Sequence, residues 1–299
     1  MIEVKNLTKR FDDIVAVDQI SAEIKEGYVY GLIGTNGAGK STFIRMACGV
    51  LKADEGEILI DGENVYENVA LKQRIFYIPD DPFFFANATP DEMMNFYMTM
   101  YPRFDKDRFH GLLQNFGLDA RRKISTFSKG MKKQLAVILG ISSGTDYLFC
   151  DETFDGLDPV MRQAVKSLFA ADIAERKLTP IIASHNLREL EDICDHVGLL
   201  HKGGILLSRD LDDMKLNIHK IQCVLKSEFD PERFAGLEIV KKDQRGSLIT
   251  LIVRGTKEQA EDVMRAQEPL FYELIPLSLE EIFISETEVA GYDIKKIIL

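Results

Sequence analysis

The stretch GTNGAGKST, residues 34–42, decides the fold because it matches the pattern G-x-x-x-x-G-K-[S/T]. It stands between the apolar run YVYGLI (28–33) and the helical pattern KSTFIRMACGVL (40–51), so a strand precedes it and a helix follows it. Backbone N–H groups of such a loop surround phosphate oxygens, and the dipole of the following helix adds to the attraction. A glycine turn without a ligand is the alternative, but the flanking strand and helix favour a phosphate-binding loop.

Two side chains of this loop carry the chemistry. Lys40 supplies a positive charge for the β- and γ-phosphates of a nucleotide, and the Ser41 hydroxyl can ligate Mg²⁺. The sequence therefore predicts that a nucleotide and Mg²⁺ bind here. The residues predicted to bind the nucleotide in this loop are Gly34, Asn36, Gly37, Ala38, Gly39, Lys40, Ser41 and Thr42.

A second candidate site lies at the end of the apolar strand pattern DYLFCDE, residues 146–152. Asp151 is placed to hold Mg²⁺, and Glu152 can take a proton from an attacking water or orient it. A polar strand end is the alternative, and it is a poor explanation beside a phosphate loop. His185 follows a further strand pattern, IIASHN (181–186), which would bring it towards the γ-phosphate, although a lone histidine in such a place is more often structural.

The alternation of strand and helix patterns before residue 216 predicts an α/β fold with a parallel sheet. From about residue 89 to 140 the pattern is helical, which indicates a helical subdomain. Residues 216–299 read as strand, hairpin, helix, strand and helix, and the turn DQRG supports the hairpin. We therefore predict a nucleotide-binding domain over residues 1–215, followed by a small α+β domain that does no chemistry and acts in dimerisation or regulation.

Composition excludes several classes of protein. The formal net charge of −11, with 48 acidic and 37 basic residues, argues against a general nucleic-acid binder. The four cysteines form no C-x-x-C pair, so neither a zinc site nor a disulfide framework is predicted. No run of 18 apolar residues occurs, so we expect any action at a membrane to depend on a partner protein.

The motif FSKGM, residues 127–131, comes shortly before the carboxylate strand. Ser128 suits the N-cap of the helical pattern KGMKKQLAVILGI (129–141), whose first N–H groups would face an anion. With the two sites above, this motif makes residues 1–215 resemble the ATP-binding subunit of an ABC transporter, a P-loop ATPase cassette with a helical subdomain. The resemblance implies that Ser128 and Gly130 contact the γ-phosphate of ATP held by an opposite subunit; a helix cap alone is the alternative.

Three further segments fit the same resemblance. GLDP (156–159) is similar to the D-loop, in which Asp158 would cross the dimer interface. Phe11 stands where an aromatic ring stacks on adenine, and a strand aromatic in the core is the alternative. FYIPDDPFFF (76–85) occupies the place of the Q-loop, which contacts Mg²⁺ and the membrane subunit.

The chain also departs from the family pattern at three positions. Asp80 stands in place of the Q-loop glutamine, so its contact with Mg²⁺ and its part in coupling to the membrane partner are open. Lys129 and Met131 replace the usual glycine and glutamine of the signature. Ser-Lys-Gly-Met is similar to the signature of ABC-2 type exporters, including bacitracin-resistance and peptide (phenol-soluble modulin) export systems, so the changes indicate a subgroup.

The resemblance implies an assembly at the cytoplasmic face of the cell membrane. Two copies, or one copy and a close relative, would enclose two ATP molecules and drive export through a separate membrane permease. Phe83, Phe84 and Phe85 have two possible roles. Exposed rings would anchor the permease, whereas buried rings would belong to the core of the helical subdomain. Amphipathic or antimicrobial peptides are the expected cargo.

A soluble ABC ATPase that acts on nucleic acid or ribosomes is the alternative function, and the single cassette and acidic net charge count against it.

Overall fold

A computed structural model describes residues 1–154, 157–226 and 229–289. Gly156, at the start of the predicted D-loop, lies outside these residues. The chain divides into two compact units between Ser208 and Arg209, not between residues 215 and 216. The difference arises because the helix Leu211–Leu216 packs against the first strand of the second unit.

The first unit contains ten strands and seven α-helices among the described residues, of which the last strand runs two residues past the division. In chain order they are β1 (Ile2–Phe11), β2 (Ile14–Ile24), β3 (Tyr30–Ile33), α1 (Lys40–Ala47), β4 (Glu55–Ile60), β5 (Glu63–Asn64), α2 (Val69–Lys72), β6 (Ile75–Ile78), α3 (Pro90–Met100), α4 (Lys106–Asn115), α5 (Lys129–Ser142), β7 (Tyr147–Asp151), α6 (Pro159–Arg176), β8 (Thr179–Ser184), α7 (Leu187–Glu191), β9 (His196–His201) and β10 (Gly204–Asp210).

A six-stranded sheet in the order β10-β9-β3-β8-β7-β6 forms the centre of this unit, and the pairs from β9 to β6 are parallel. Every residue of β3, β7 and β8 is buried, which explains why these strands read as continuous apolar runs. Because the strands are parallel, their carboxyl ends meet at one edge of the sheet. The phosphate loop follows β3, Asp151 is the last residue of β7, and His185 follows β8, so all three lie at this edge; the predicted α/β fold is confirmed.

A second, antiparallel sheet has the order β2-β1-β4-β5. The main hydrophobic core contains side chains of this sheet, of α1 and of the parallel sheet. Phe43 on α1 is 1% exposed and Phe149 on β7 is fully buried, so α1 is held firmly where the phosphate loop ends. This packing fixes the direction in which the start of α1 points.

The region predicted as a helical subdomain contains α3, α4 and α5. Thr89 and Glu92 form a capping box at the start of α3. Ser128 accepts a hydrogen bond from the Met131 N–H at 3.2 Å, so the predicted N-cap of α5 is confirmed. Asp172 on α6 is fully buried and pairs with Arg108 on α4, which ties a helix of this region to α6.

In its described residues the second unit is a four-stranded antiparallel sheet in the order β12-β13-β11-β14, with three α-helices. The predicted hairpin is confirmed, because its two strands pair across a turn in which Gly246 has a φ of 61°. Its own core includes Ile221, Leu251 and Met264, all fully buried. The elements are α8 (Leu211–Leu216), β11 (Ile218–Val224), β12 (Glu238–Arg245), β13 (Leu248–Arg254), α9 (Lys257–Ala266), β14 (Phe271–Pro276) and α10 (Leu279–Val289).

Candidate nucleotide-binding and hydrolysis site

The phosphate loop connects β3 to α1, and close backbone contacts require two of its glycines, Gly34 and Gly39. A Cβ on Gly39 would lie 2.2 Å from the Ala16 carbonyl oxygen, and the φ of Gly39 is 103°. A Cβ on Gly34 would lie 2.6 Å from the Leu200 carbonyl oxygen. Any larger residue at either position would therefore push the loop away from its supports.

Lys40 is 5% exposed, and its ammonium faces back over the loop. The Nζ donates hydrogen bonds to the carbonyl oxygens of Gly34 at 2.8 Å and Thr35 at 3.3 Å. The same atom lies 3.2 Å from Oε1 of Glu152, so the lysine of one predicted site meets the carboxylate of the other. A buried ammonium stabilised in this way is pre-positioned to attract phosphate oxygens.

Ser41 and Asp151 form the candidate magnesium site. The Ser41 hydroxyl donates to Oδ1 of Asp151 at 2.9 Å, and the Tyr77 hydroxyl donates to Oδ2 at 3.3 Å. Burial raises the pKa of the Asp151 carboxyl, and these two hydrogen bonds oppose the rise. Burial likewise raises the pKa of Tyr77 to about 12, so its hydroxyl stays a donor. Tyr77 was not predicted from the sequence, because its contact with Asp151 depends on the pairing of β6 with β7.

The donor set fits Mg²⁺. A hydroxyl and a buried carboxylate are hard oxygen ligands, and Mg²⁺ usually keeps waters and phosphate oxygens for its other positions. No group of three or more His, Cys, Asp or Glu side chains suited to a metal occurs within the described ranges. All four cysteines are buried and unbridged, and burial raises the pKa of Cys150 to about 12.

Glu152 follows the end of β7 with a φ of 50°, a left-handed conformation that costs a non-glycine residue about 1–3 kcal/mol. Its N–H donates to the Ala183 carbonyl oxygen at 3.0 Å. Oε2 of its side chain lies 2.8 Å from Nδ1 of His185 and accepts from the His185 backbone N–H at 3.3 Å. The structure therefore brings His185 to the carboxylate that sequence reasoning assigned to the attacking water.

Lys40, Ser41 and Glu152 border a cavity of about 500 Å³. Phe11 lies at its rim with 45% of its surface exposed, so it does not belong to the core, the alternative that the sequence left open. Lys202 also lines the cavity; it was not predicted, although the Lys-Gly-Gly turn after the buried β9 is a recognisable signal. The lining residues are Phe11, Ile14, Val15, Ala16, Asn36, Gly37, Gly39, Lys40, Ser41, Thr42, Asp80, Glu152 and Lys202.

Seven predicted site residues are not among the described residues that line this cavity. Gly34 and Ala38 belong to the phosphate loop itself, while Asp151 and His185 contact the lining residues Ser41 and Glu152. The other three are Ser128, Gly130 and Asp158. Ser128 and Asp158 are exposed helix N-caps. Asp158 accepts from the backbone N–H groups of Val160 and Met161, each at 2.9 Å.

Asp80 lines the cavity while its carboxylate pairs with Lys133, with 3.0 Å between Oδ1 and Nζ. Its side chain is 58% exposed. Asp80 is therefore bound to α5. Direct ligation of Mg²⁺ by Asp80 stays a prediction.

A phosphate loop, a serine bonded to a buried aspartate and a glutamate–histidine pair at one sheet edge define a P-loop ATPase. Residues 17–155 match the family model described as ABC transporter. The chain is 30% identical over 286 residues to the ABC transporter ATP-binding protein YtrB of Bacillus subtilis (strain 168), covering 96% of this chain and 98% of that one. It is 34% identical over 218 residues to the bacitracin transport ATP-binding protein BcrA of Bacillus licheniformis, covering 72% and 71%.

Among solved structures, cbiO1 from Clostridium perfringens, described as part of the ABC transporter complex cbiONQ, is similar with a TM-score of 0.60 and 26% identity. That likeness covers 71% of this chain and 89% of the solved one. The chain therefore belongs to the ATP-binding proteins of ABC transporters and carries their ATP-hydrolysing cassette. No helix in the part of the chain that the structure describes is both long and apolar enough to span a bilayer.

Replacing Lys40 by alanine removes a buried charge that faces the phosphates, and we expect the Kd for ATP to rise about 10- to 100-fold. Titration with a fluorescent ATP analogue measures this change. Lys166→Ala is the matched control, because Lys166 pairs with Asp192 at 3.2 Å and does not line the cavity. An unchanged Kd in the Lys40 variant would show that this loop does not hold phosphate.

Proposed function

We propose that two copies of this chain enclose two ATP molecules and drive a bacterial exporter. Each ATP lies between the phosphate loop of one copy and Ser128 and Gly130 of the other. The observation that carries the proposal is the division of the predicted residues into two sets. One set lines the cavity or contacts residues that line it, whereas Ser128 and Asp158 are exposed on helix N-termini, where a second copy can reach them.

The helix α5 suits an anion supplied by another subunit. It contains 14 residues, and Ser128 satisfies the N–H of Met131, which leaves other first-turn N–H groups for a γ-phosphate. ATP thereby joins the two copies, and its hydrolysis weakens the contact that holds them. The resulting opening and closing is a rigid-body switch governed by the γ-phosphate.

Within each site the side chains divide the work of hydrolysis. Phe11 stacks on adenine, and Lys40 binds the β- and γ-phosphates. Ser41 and Asp151 hold Mg²⁺, which neutralises charge on the phosphates. Glu152 orients and deprotonates the attacking water, and His185 fixes the direction of the Glu152 carboxylate through the 2.8 Å contact.

An exposed aromatic cluster, formed by Phe83, Phe85 and Phe96, supports a membrane permease as the partner. Phe83 is 73% exposed, and the ring centroids of Phe85 and Phe96 lie 4.8 Å apart. A groove of about 360 Å³ beside it includes Phe84 and Ile124. Exposed aromatic rings next to a groove are typical of interface anchors, so we assign this surface to a helix of the permease at the cytoplasmic face of the membrane.

The proposed cargo is an amphipathic or antimicrobial peptide. The similarity to a bacitracin transport protein supports this class, as does the Ser-Lys-Gly-Met signature. The transporter names of the relatives favour this role over a soluble ATPase that acts on nucleic acid or ribosomes.

For the chain purified together with its permease, we expect amphipathic peptides to raise the ATPase rate, because cargo binding favours closure of the dimer. Phosphate release measured with and without peptide checks this expectation. A soluble polar peptide of equal length is the control. Equal rates with both peptides would contradict the cargo class and leave the ATPase assignment standing.

Ser128→Arg should separate ATP binding from dimerisation. The variant keeps its own phosphate loop, so a single copy should bind ATP with unchanged Kd, while the bulky side chain obstructs the γ-phosphate of the opposite copy. Size-exclusion chromatography with ATP should give a monomer, whereas Glu152→Gln should give an ATP-bound dimer. ATP-driven dimers of Ser128→Arg in normal amounts would contradict a role in the opposite site.

A further inference from the structure

Lys133 lies on α5, five residues after Ser128, and only 1% of its side chain is exposed. Among the described lysines, only Lys133 and the phosphate-loop Lys40 are buried. Removing an ammonium from water is costly unless charged or polar partners surround it. The contacts of Lys133 therefore indicate what it does.

The Nζ of Lys133 donates two hydrogen bonds to different segments of the chain. One goes to Oδ1 of Asp80 at 3.0 Å, in the segment that follows β6. The other goes to the backbone carbonyl oxygen of Glu152 at 2.7 Å, at the end of β7. One ammonium thus connects the signature helix, the Q-loop segment and the backbone of the proposed catalytic glutamate.

The contact with Glu152 falls on a residue whose backbone is in the left-handed region. Such a conformation persists only when the surrounding structure holds it. The Glu152 N–H is held by Ala183, and its carbonyl oxygen is held by Lys133. These two bonds fix the peptide groups on either side of the Cα, and so they set the direction in which the Glu152 side chain leaves the strand.

The two side chains of the Asp80–Lys133 pair differ in their exposure to water. Asp80 is 58% exposed and can be solvated without its partner, whereas Lys133 is buried and cannot. Movement of Asp80 therefore leaves the Glu152 carbonyl oxygen as the remaining hydrogen-bond partner of Lys133 among the described residues, and the energetic cost falls on that contact. Asp80 also lies a few residues before the exposed aromatic cluster. A displacement of that surface is therefore transmitted to the Asp80–Lys133 ion pair through a short segment of the chain.

We propose that Lys133 is a positioning residue for ATP hydrolysis, which holds the backbone of Glu152 in its productive direction and links that direction to the position of Asp80. The proposal rests on the catalytic role proposed above for Glu152. In this chain the Asp80–Lys133 pair connects the Q-loop segment to the hydrolysis site through the protein itself, with no need for Asp80 to contact the metal.

Steady-state ATP hydrolysis by the full-length chain tests the proposal. Lys133→Met keeps the length and apolar stem of the side chain and removes both hydrogen bonds. We expect kcat to fall between about 10- and 100-fold, because small misplacement of a reacting group has effects of that size. KM for ATP should change less than about twofold, since the phosphate loop and adenine contacts are intact. Lys166→Met, which removes an ion pair outside the cavity, should keep the wild-type kcat.

Two further variants separate positioning from folding. Asp80→Asn leaves Lys133 buried without a counter-charge, so its thermal unfolding midpoint should fall. The double variant Lys133→Met with Asp80→Asn should recover much of that midpoint while its kcat stays low. If Lys133→Met does not fold at the assay temperature, kcat and KM are measured for Lys133→Gln, with Lys166→Gln as its control. Lys133→Gln keeps an N–H donor.

A wild-type kcat in folded Lys133→Met would overturn the proposal, and so would a rise in KM with kcat unchanged. Glu152→Gln measured in parallel distinguishes an error in the catalytic role of Glu152 from an error in the positioning role of Lys133. If Glu152→Gln hydrolyses ATP at the wild-type rate, the role of Glu152 is wrong and this proposal fails with it. If Glu152→Gln is inactive and Lys133→Met is normal, only the positioning role is wrong.

Discussion

The position of the Glu152 carboxylate is the constraint on which the rest of the site depends. Its two oxygens contact the ammonium of Lys40 and the ring of His185. Its backbone is held by Ala183 and Lys133 in a left-handed conformation. Contacts from the phosphate loop, the end of β8 and α5 therefore meet at one residue, and a shift in any of them changes the position of the carboxylate that we propose activates water.

The parallel sheet makes this meeting possible. The strands β3, β7 and β8 are neighbours or next neighbours and are wholly buried, so their carboxyl ends cannot slide without breaking the core. Rigid strands place the polar groups, and short loops after them carry the chemistry. By contrast, Ser128 and Asp158 lie at exposed ends of helices, which suits residues that serve another subunit.

The sequence predicted the groups whose function depends on local pattern. Lys40, Ser41 and Asp151 follow from a loop and a strand end that are recognisable within a few residues, and the Ser128 cap follows from one turn of helix. Lys133 and Tyr77 could not be predicted in the same way, because their roles depend on packing between segments far apart in the chain. Lys133 reads as an ordinary charge in a basic stretch, and only the fold shows that its ammonium is buried against Asp80 and Glu152.

Other differences have similar physical causes. The exposure of the aromatic cluster depends on how α3 packs, and periodicity alone did not separate an anchor from a core. The division of the chain differs from the prediction because a short helix after β10 packs on the following sheet, a contact that the sequence pattern does not encode. In both cases tertiary packing, and not local preference, determined the outcome.

The central claim is that each hydrolysis site is composed from two copies of the chain. The most direct test mixes Lys40→Ala with Ser128→Arg, each of which should be inactive alone because both of its sites are damaged. In a mixed dimer both lesions fall in one site, and the other site combines an intact phosphate loop with an intact signature. The account predicts that mixing restores ATP hydrolysis, in proportion to the mixed dimer formed. Two folded variants that stay inactive at every mixing ratio would contradict it.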